Sequence, residues 1–138
     1  MKYPCLTLVV GTLVQLPLAV AAQQAYPTQD LLVTSTTVMG EPIRYPSGTP
    51  KVTASIVTIA PGAETAWHRH PAPLVAYILE GDLTVDYRDR GRRVYRQGEA
   101  LVEAMDVTHR GINLGSAPVR LLAVYLGADG LPNTALEK

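Results

Sequence analysis

Residues 62–81 read GAETAWHRHPAPLVAYILEG, with two histidines one residue apart, a proline-bracketed loop, an apolar run and a closing Glu-Gly. Pro61-Gly62 before the histidines and Gly81-Asp82 after the apolar run are turn signals, so Leu74–Glu80 is predicted as a strand bounded by loops. Ala66–His70 is predicted as a second, shorter strand. Successive side chains of a strand point to opposite faces, which puts His68 and His70 on one face, about 7 Å apart along the chain, and turns Trp67 and Arg69 the other way. The sequence contains one further histidine, His109, in the stretch THRGIN. Two imidazoles on a shared face can meet one metal ion. A third, brought in from a distant strand, would complete a facial set with open positions opposite it.

The rest of the chain reads as more short β segments. Leu31–Val38 and Pro50–Ile59 are rich in Val, Ile and Thr, with Gly40, Pro42, Pro46 and Gly48 between them. Leu83–Tyr87, Ala100–Ala104 and Pro118–Leu126 are predicted strands. Arg88–Arg93 (RDRGRR) is predicted as a charged hairpin tip, with Val94–Arg96 starting the return. No stretch keeps helical periodicity beyond two turns. About ten short strands at this spacing indicate an all-β sandwich or barrel.

Length and composition set bounds. A chain of 138 residues supports one ordinary domain, and with 47% hydrophobic residues and no Phe its core must be mainly aliphatic. Residues 1–22 have a weakly basic start, an apolar middle and small residues at Ala19–Ala22. They are expected to be a secretory signal peptide cleaved near Ala21 or Ala22, with an uncleaved membrane anchor as the alternative. A flexible tail at 23–30 and a domain at 31–138 would follow, in a periplasmic or secreted protein. Loss of Lys2 would leave 12 − 1 = 11 basic residues against 12 acidic ones, which gives no electrostatic reason to bind nucleic acid or, after cleavage, a membrane. The single cysteine, Cys5, would leave with the signal. No serine has a base beside it in the sequence, so nucleophilic catalysis has no support.

The spacing of glycines and histidines resembles the cupin superfamily, in particular its small single-domain, type-2 conserved-barrel members. The first cupin motif, G-x5-H-x-H-x3/4-E-x6-G, is met by Gly62, His68, His70 and Gly81. The second, G-x5-P-x-G-x2-H-x3-N, is met by Gly98, His109 and Asn113. The chain departs from the pattern at three places: Leu74 occupies the glutamate position of the first motif, and Ala104 and Asp106 occupy the proline and second glycine of the other. The resemblance implies a double-stranded β-helix, or jelly-roll barrel, and a divalent transition metal (Fe, Mn, Ni, Cu or Zn) held by His68, His70 and His109. It supplies no fourth protein ligand.

Glu64 and Glu103 are the candidates to compensate, as fourth ligand or as acid/base. Glu64 shares strand parity with the histidines if the strand reaches back that far, and Glu103 interrupts the apolar stretch LVEAM. Their alternatives are a loop position for Glu64 and a solvent-facing or arginine-paired position for Glu103. Leu74, Ala76 and Ile78 share a face and are expected to line an apolar pocket for a small organic ligand. Asn113 is expected to fix a loop through backbone hydrogen bonds. The resemblance implies a metal-dependent enzyme, dioxygenase-like first, with isomerase or lyase chemistry also open, and the signal-like start of the chain would make it an exported one. Its alternative is a non-catalytic binding or sensing module. Pairing into a homodimer is what small cupins imply.

Overall fold

Val119–Ala128, one of two ten-residue strands among the described residues, pairs along both edges, and the larger sheet is assembled on it. In this computed structural model, which describes residues 26–137, nine strands follow in chain order: β1 (Pro50–Ile59), β2 (His68–Arg69), β3 (Leu74–Glu80), β4 (Leu83–Asp86), β5 (Arg92–Tyr95), β6 (Ala100–Val102), β7 (Arg110–Ile112), β8 (Val119–Ala128) and β9 (Ala135–Leu136). The larger sheet has the order β1-β8-β3-β6, a second has β5-β4-β7, and β2 pairs with β9. Every ladder is antiparallel. The predicted signal segment lies outside the described residues.

Alternation explains which side of each strand is buried. On β8, Val119, Leu121 and Ala123 point inward, and on β3 Leu74, Ala76 and Ile78 do the same. Ile59, Ala76, Ile78, Leu101, Val119 and Leu121 from the larger sheet meet Leu83 and Val85 of β4 in one core cluster, so the two sheets close on each other as the halves of a β-barrel. The core is aliphatic, as the missing phenylalanine requires. Tyr87 is the one fully buried aromatic ring in it.

Two motif positions have visible backbone causes. Gly81 turns β3 into β4 at φ +76°, and a Cβ there would stand 2.9 Å from the carbonyl oxygen of Pro118, so only glycine fits. Asp106, at a glycine position of the second motif, has φ +56°. The turn therefore keeps its left-handed residue, and aspartate tolerates that region better than most side chains.

Three strand expectations change. Leu31–Val38 forms no strand; it contributes an isolated bridge, Thr36 to Pro42, and Val33 is 84% exposed. Its β-forming composition has no pleated partner to lie on, and Gly40 and Pro42 bend the chain away before a ladder can extend. Ala66–His70 narrows to β2, and Ala100–Ala104 narrows to β6. The short strands β7 and β9 were not foreseen, because two or three residues carry no readable period.

Asn113 is buried at 1% exposure, and its amide ties three stretches together. Nδ2 donates to the carbonyls of Ile59 (2.9 Å) and Ala117 (2.8 Å), and Oδ1 accepts from Gly115 N–H (2.9 Å). With about 1 kcal/mol net for each of three bonds, Asn113→Ala is expected to lower unfolding stability by about 3 kcal/mol in urea titration. A loss below about 1 kcal/mol would show that the amide is not what holds these loops together.

Candidate metal centre

His68 and His109 face each other across an antiparallel bridge, with His68 N–H donating to His109 C=O at 2.9 Å and the reverse bond at 2.8 Å. Directly opposed residues of such a pair project to the same face, so the two rings meet with centroids 4.5 Å apart. His70, two residues after His68, shares its face. Its ring centroid lies 5.0 Å from that of His68 and 5.1 Å from that of His109. One ring nitrogen from each histidine lies within 4.8 Å of the others, so the trio can hold a metal ion.

The far nitrogen of each ring is tied to a backbone carbonyl. Nδ1 of His68 bonds to Ala66 C=O (2.7 Å), Nδ1 of His70 to Asn133 C=O (2.9 Å), and Nδ1 of His109 to Val107 C=O (2.8 Å). A carbonyl only accepts, so each Nδ1 carries the proton. In the neutral ring that leaves Nε2 as a bare lone pair. Burial lowers the pKa of His68 and brings that of His70 down to about 4, the other imidazoles adding a smaller push in the same direction. Neutral rings with fixed Nδ1 protons are the state that a transition metal binds. The donor set therefore fits the metal that the fold resemblance implies.

The two predicted carboxylates have different surroundings. Glu64 is half exposed and forms an ion pair with Arg110 at 2.5 Å, away from the cavity that the histidines line. It sits on an isolated bridge to Ile112, neither in the open loop nor in the strand of the histidines. Glu103 is 5% exposed and lines that cavity. Its Oε1 accepts from the Tyr87 hydroxyl (2.6 Å) and from Ala104 N–H (2.8 Å), while Oε2 lies 3.9 Å from His109 Nε2. Burial and the adjacent carboxylate raise the Tyr87 pKa far above its ordinary value, which keeps that hydroxyl a donor. Proline, which the second motif has at position 104, lacks an N–H. Ala104 supplies the donor that fixes Glu103.

The cavity holds about 260 Å³, and its wall is mostly aliphatic: Val57, Ile59, Leu74, Leu83, Val85 and Leu121. Among the described residues, no arginine or lysine lines it. Of the predicted lining, Leu74 is present. Ala76 and Ile78 are not in the wall; they lie farther along the same face of β3, where the sheets close into solid core. Sequence reasoning missed Tyr125, Thr134 and Leu136, which also line the cavity, and the carbonyl of Asn133. A backbone acceptor leaves no trace in a sequence. Tyr87 had one signal: a carboxylate in an apolar strand needs a buried donor.

Outside the cavity, Trp67 is partly exposed, with the guanidinium groups of Arg88 and Arg110 each 4.6 Å from its ring centroid. The arginines of the charged tip pair with acids, Arg92 with Asp86 at 3.0 Å and Arg88 with Glu137. The turn itself is Arg88–Gly91; Arg92 and Arg93, expected in the tip, already belong to β5.

A family model described as a cupin domain matches residues 55–125, and the chain belongs to that family. Among solved structures, it is similar to oxalate decarboxylase from Lactobacillus farciminis (22% identity, TM-score 0.53, 62% of this chain and 26% of that one). It is also similar to a polyketide cyclase from Streptomyces resistomycificus (20%, 0.54, 63% and 61%). A third is an uncharacterized conserved protein with a double-stranded β-helix domain from Klebsiella pneumoniae (18%, 0.54, 68% and 84%). At these identities the likeness shows the fold, a double-stranded β-helix. The chain spans about a quarter of the decarboxylase and 61% of the cyclase. None of the curated proteins compared matches the sequence significantly.

The three imidazoles act as one donor set. Zn(II) is expected to bind at one equivalent per chain, and His70→Ala or His109→Ala is expected to weaken it by more than about 100-fold, as removal of a ligand exceeds the loss from disturbing an outer partner. Glu64→Gln is expected to leave the affinity unchanged. Titration against a chromophoric chelator, with elemental analysis, reads these outcomes; equal affinity in the His70 variant would contradict the assignment.

Proposed function

We propose that this chain is an exported, metal-dependent cupin that acts on a small, largely apolar organic molecule, with Glu103 moving a proton at Oε2. The observation that carries the reading is the pairing of three Nδ1-anchored imidazoles with a buried carboxylate whose second oxygen faces them. His68, His70 and His109 would hold the metal. When bound, a divalent transition metal supplies Lewis acidity to a substrate oxygen, or dioxygen chemistry if it is redox-active.

The remaining residues define what fits. A cavity of about 260 Å³ lies below the roughly 300–1,000 Å³ typical of sites for drug-sized ligands. Among the described residues no arginine or lysine lines the wall, so charge recognition would fall to the metal alone, while the aliphatic wall suits an enol, a phenol or a carbonyl compound with an aliphatic body. Tyr87 and Ala104 N–H hold Glu103 in one orientation, so a proton taken up at Oε2 is delivered along one direction. This favours lyase- or isomerase-type proton transfer; dioxygenase-type oxidation is the other chemistry the same cavity supports. Leu74 in the motif's glutamate position favours a second reading, in which the barrel binds its ligand without turning it over.

Export rests on the composition of residues 1–22. A homodimer is supported by β1, an edge strand of its sheet, which exposes Val52 and Ile56.

The test is to incubate metal-loaded protein in D2O with β-diketones, phenols, catechols and flavonols, following deuterium incorporation by NMR and oxygen uptake by electrode. Solvent deuterium is expected at a carbon next to the reacting oxygen, and Glu103→Gln is expected to slow it about 10²- to 10⁴-fold. An unchanged rate in Glu103→Gln would reject the proton-transfer role. Oxygen uptake would select the dioxygenase chemistry, and binding without turnover across the panel would select the binding module.

A further inference from the structure

The segment 132–137 forms part of the cavity wall and also touches the metal ligands. Thr134 and Leu136 line the cavity, while the carbonyl of Asn133 accepts the Nδ1 proton of His70. β9 pairs with β2, setting Leu136 opposite His68 and Ala135 opposite Arg69. Glu137 N–H donates to Trp67 C=O at 3.0 Å, and its carboxylate pairs with Arg88.

Little besides these bonds holds the segment. No residue from Asp129 to Glu137 is buried, and Leu136 is 70% exposed although part of it faces the cavity. Few buried apolar groups and a two-residue ladder put this strap at the low end of local stability, where segments open without global unfolding. For His68 and His109 the Nδ1 acceptor lies two residues earlier in the same chain, at Ala66 and Val107. For His70 alone it belongs to the strap, 63 residues away in sequence.

We infer that residues 132–137 form a closing strap that positions His70, so that strap closure and metal binding strengthen each other. The inference rests on the three-histidine reading. Opening would uncover the cavity and remove the acceptor that fixes the His70 tautomer. In the open state His70 offers Nε2 in only part of the population, so metal affinity falls. Linkage is reciprocal: a metal that binds the closed form more tightly by some factor must shift the opening equilibrium toward the closed form by the same factor. Asn133 is a positioning residue here, acting through its backbone carbonyl.

The experiment compares the full chain with a deletion of residues 132–138 and with Glu137→Ala, each checked for cooperative melting by circular dichroism. Zn(II) affinity is expected to fall about 10- to 100-fold in the deletion. Zn(II) is expected to slow hydrogen exchange at the amides of residues 133–137 in the full chain by that same factor. Glu137→Ala, which keeps the Asn133 carbonyl and removes the outer contacts of the carboxylate with Arg88 and Thr108, is expected to exchange faster at these amides and still be slowed by Zn(II). In metal-free protein, ring ¹⁵N correlations are expected to show His70 with its proton on Nδ1 in the full chain and in mixed tautomers after deletion.

Equal Zn(II) affinity in a folded deletion variant, or strap exchange indifferent to Zn(II) in a full chain that binds it, would overturn the inference. If the full chain binds no Zn(II), the three-histidine reading fails by itself. The tautomer comparison then decides the positioning role, and an unchanged His70 tautomer in the deletion variant overturns it.

Discussion

The hydrogen-bonded pairing of His68 with His109 is the constraint on which the site depends. Two reciprocal backbone bonds fix the register of residues far apart in sequence, and that register alone decides whether their rings share a face. A slip of one residue would turn one ring into the opposite side of the sheet. His70 follows from strand alternation once His68 is placed, and the barrel wall then sets how far each ring is desolvated. A fold that offers three carbonyls behind three rings holds the Nδ1 proton of each and leaves Nε2 for the cavity side.

Glu103 shows how departures from a motif can be coupled. Leu74 removes the carboxylate expected on the strand after the histidine pair, and the cavity gains an apolar wall there. A carboxylate returns from β6's end of the barrel, and a buried charge at that place requires donors. Tyr87 provides one and the backbone of Ala104 the other, the latter at a position where proline would have none. The turn that follows keeps its left-handed residue as Asp106. Of the three departed motif positions, Ala104 is the one that bonds Oε1 of Glu103, through its backbone.

Much of this was legible in the sequence. β1, β3 and β8 were readable because a long, regular run of Val, Ile and Leu between turn residues has few other folds to adopt, and the histidine pair was readable because period-two alternation is a steric property of the strand. Leu31–Val38 misled for the same reason: propensity describes a side chain that fits a pleated surface, and here no neighbouring strand supplies one. Ala76 and Ile78 were assigned to the pocket by parity, which gives the face of a strand and not the depth at which opposing sheets meet. The Asn133 carbonyl and the two-residue β9 were invisible, since backbone acceptors and minimal ladders have no residue signature.

X-ray absorption of the Zn(II)-loaded full chain, together with ring ¹⁵N shifts of its histidines, tests the central claim most directly. Three imidazole nitrogens at about 2.0–2.1 Å, each ring bound through Nε2 with Nδ1 still protonated, is the outcome this structure requires. A coordination sphere with fewer than three imidazoles, or binding through any Nδ1, would contradict it.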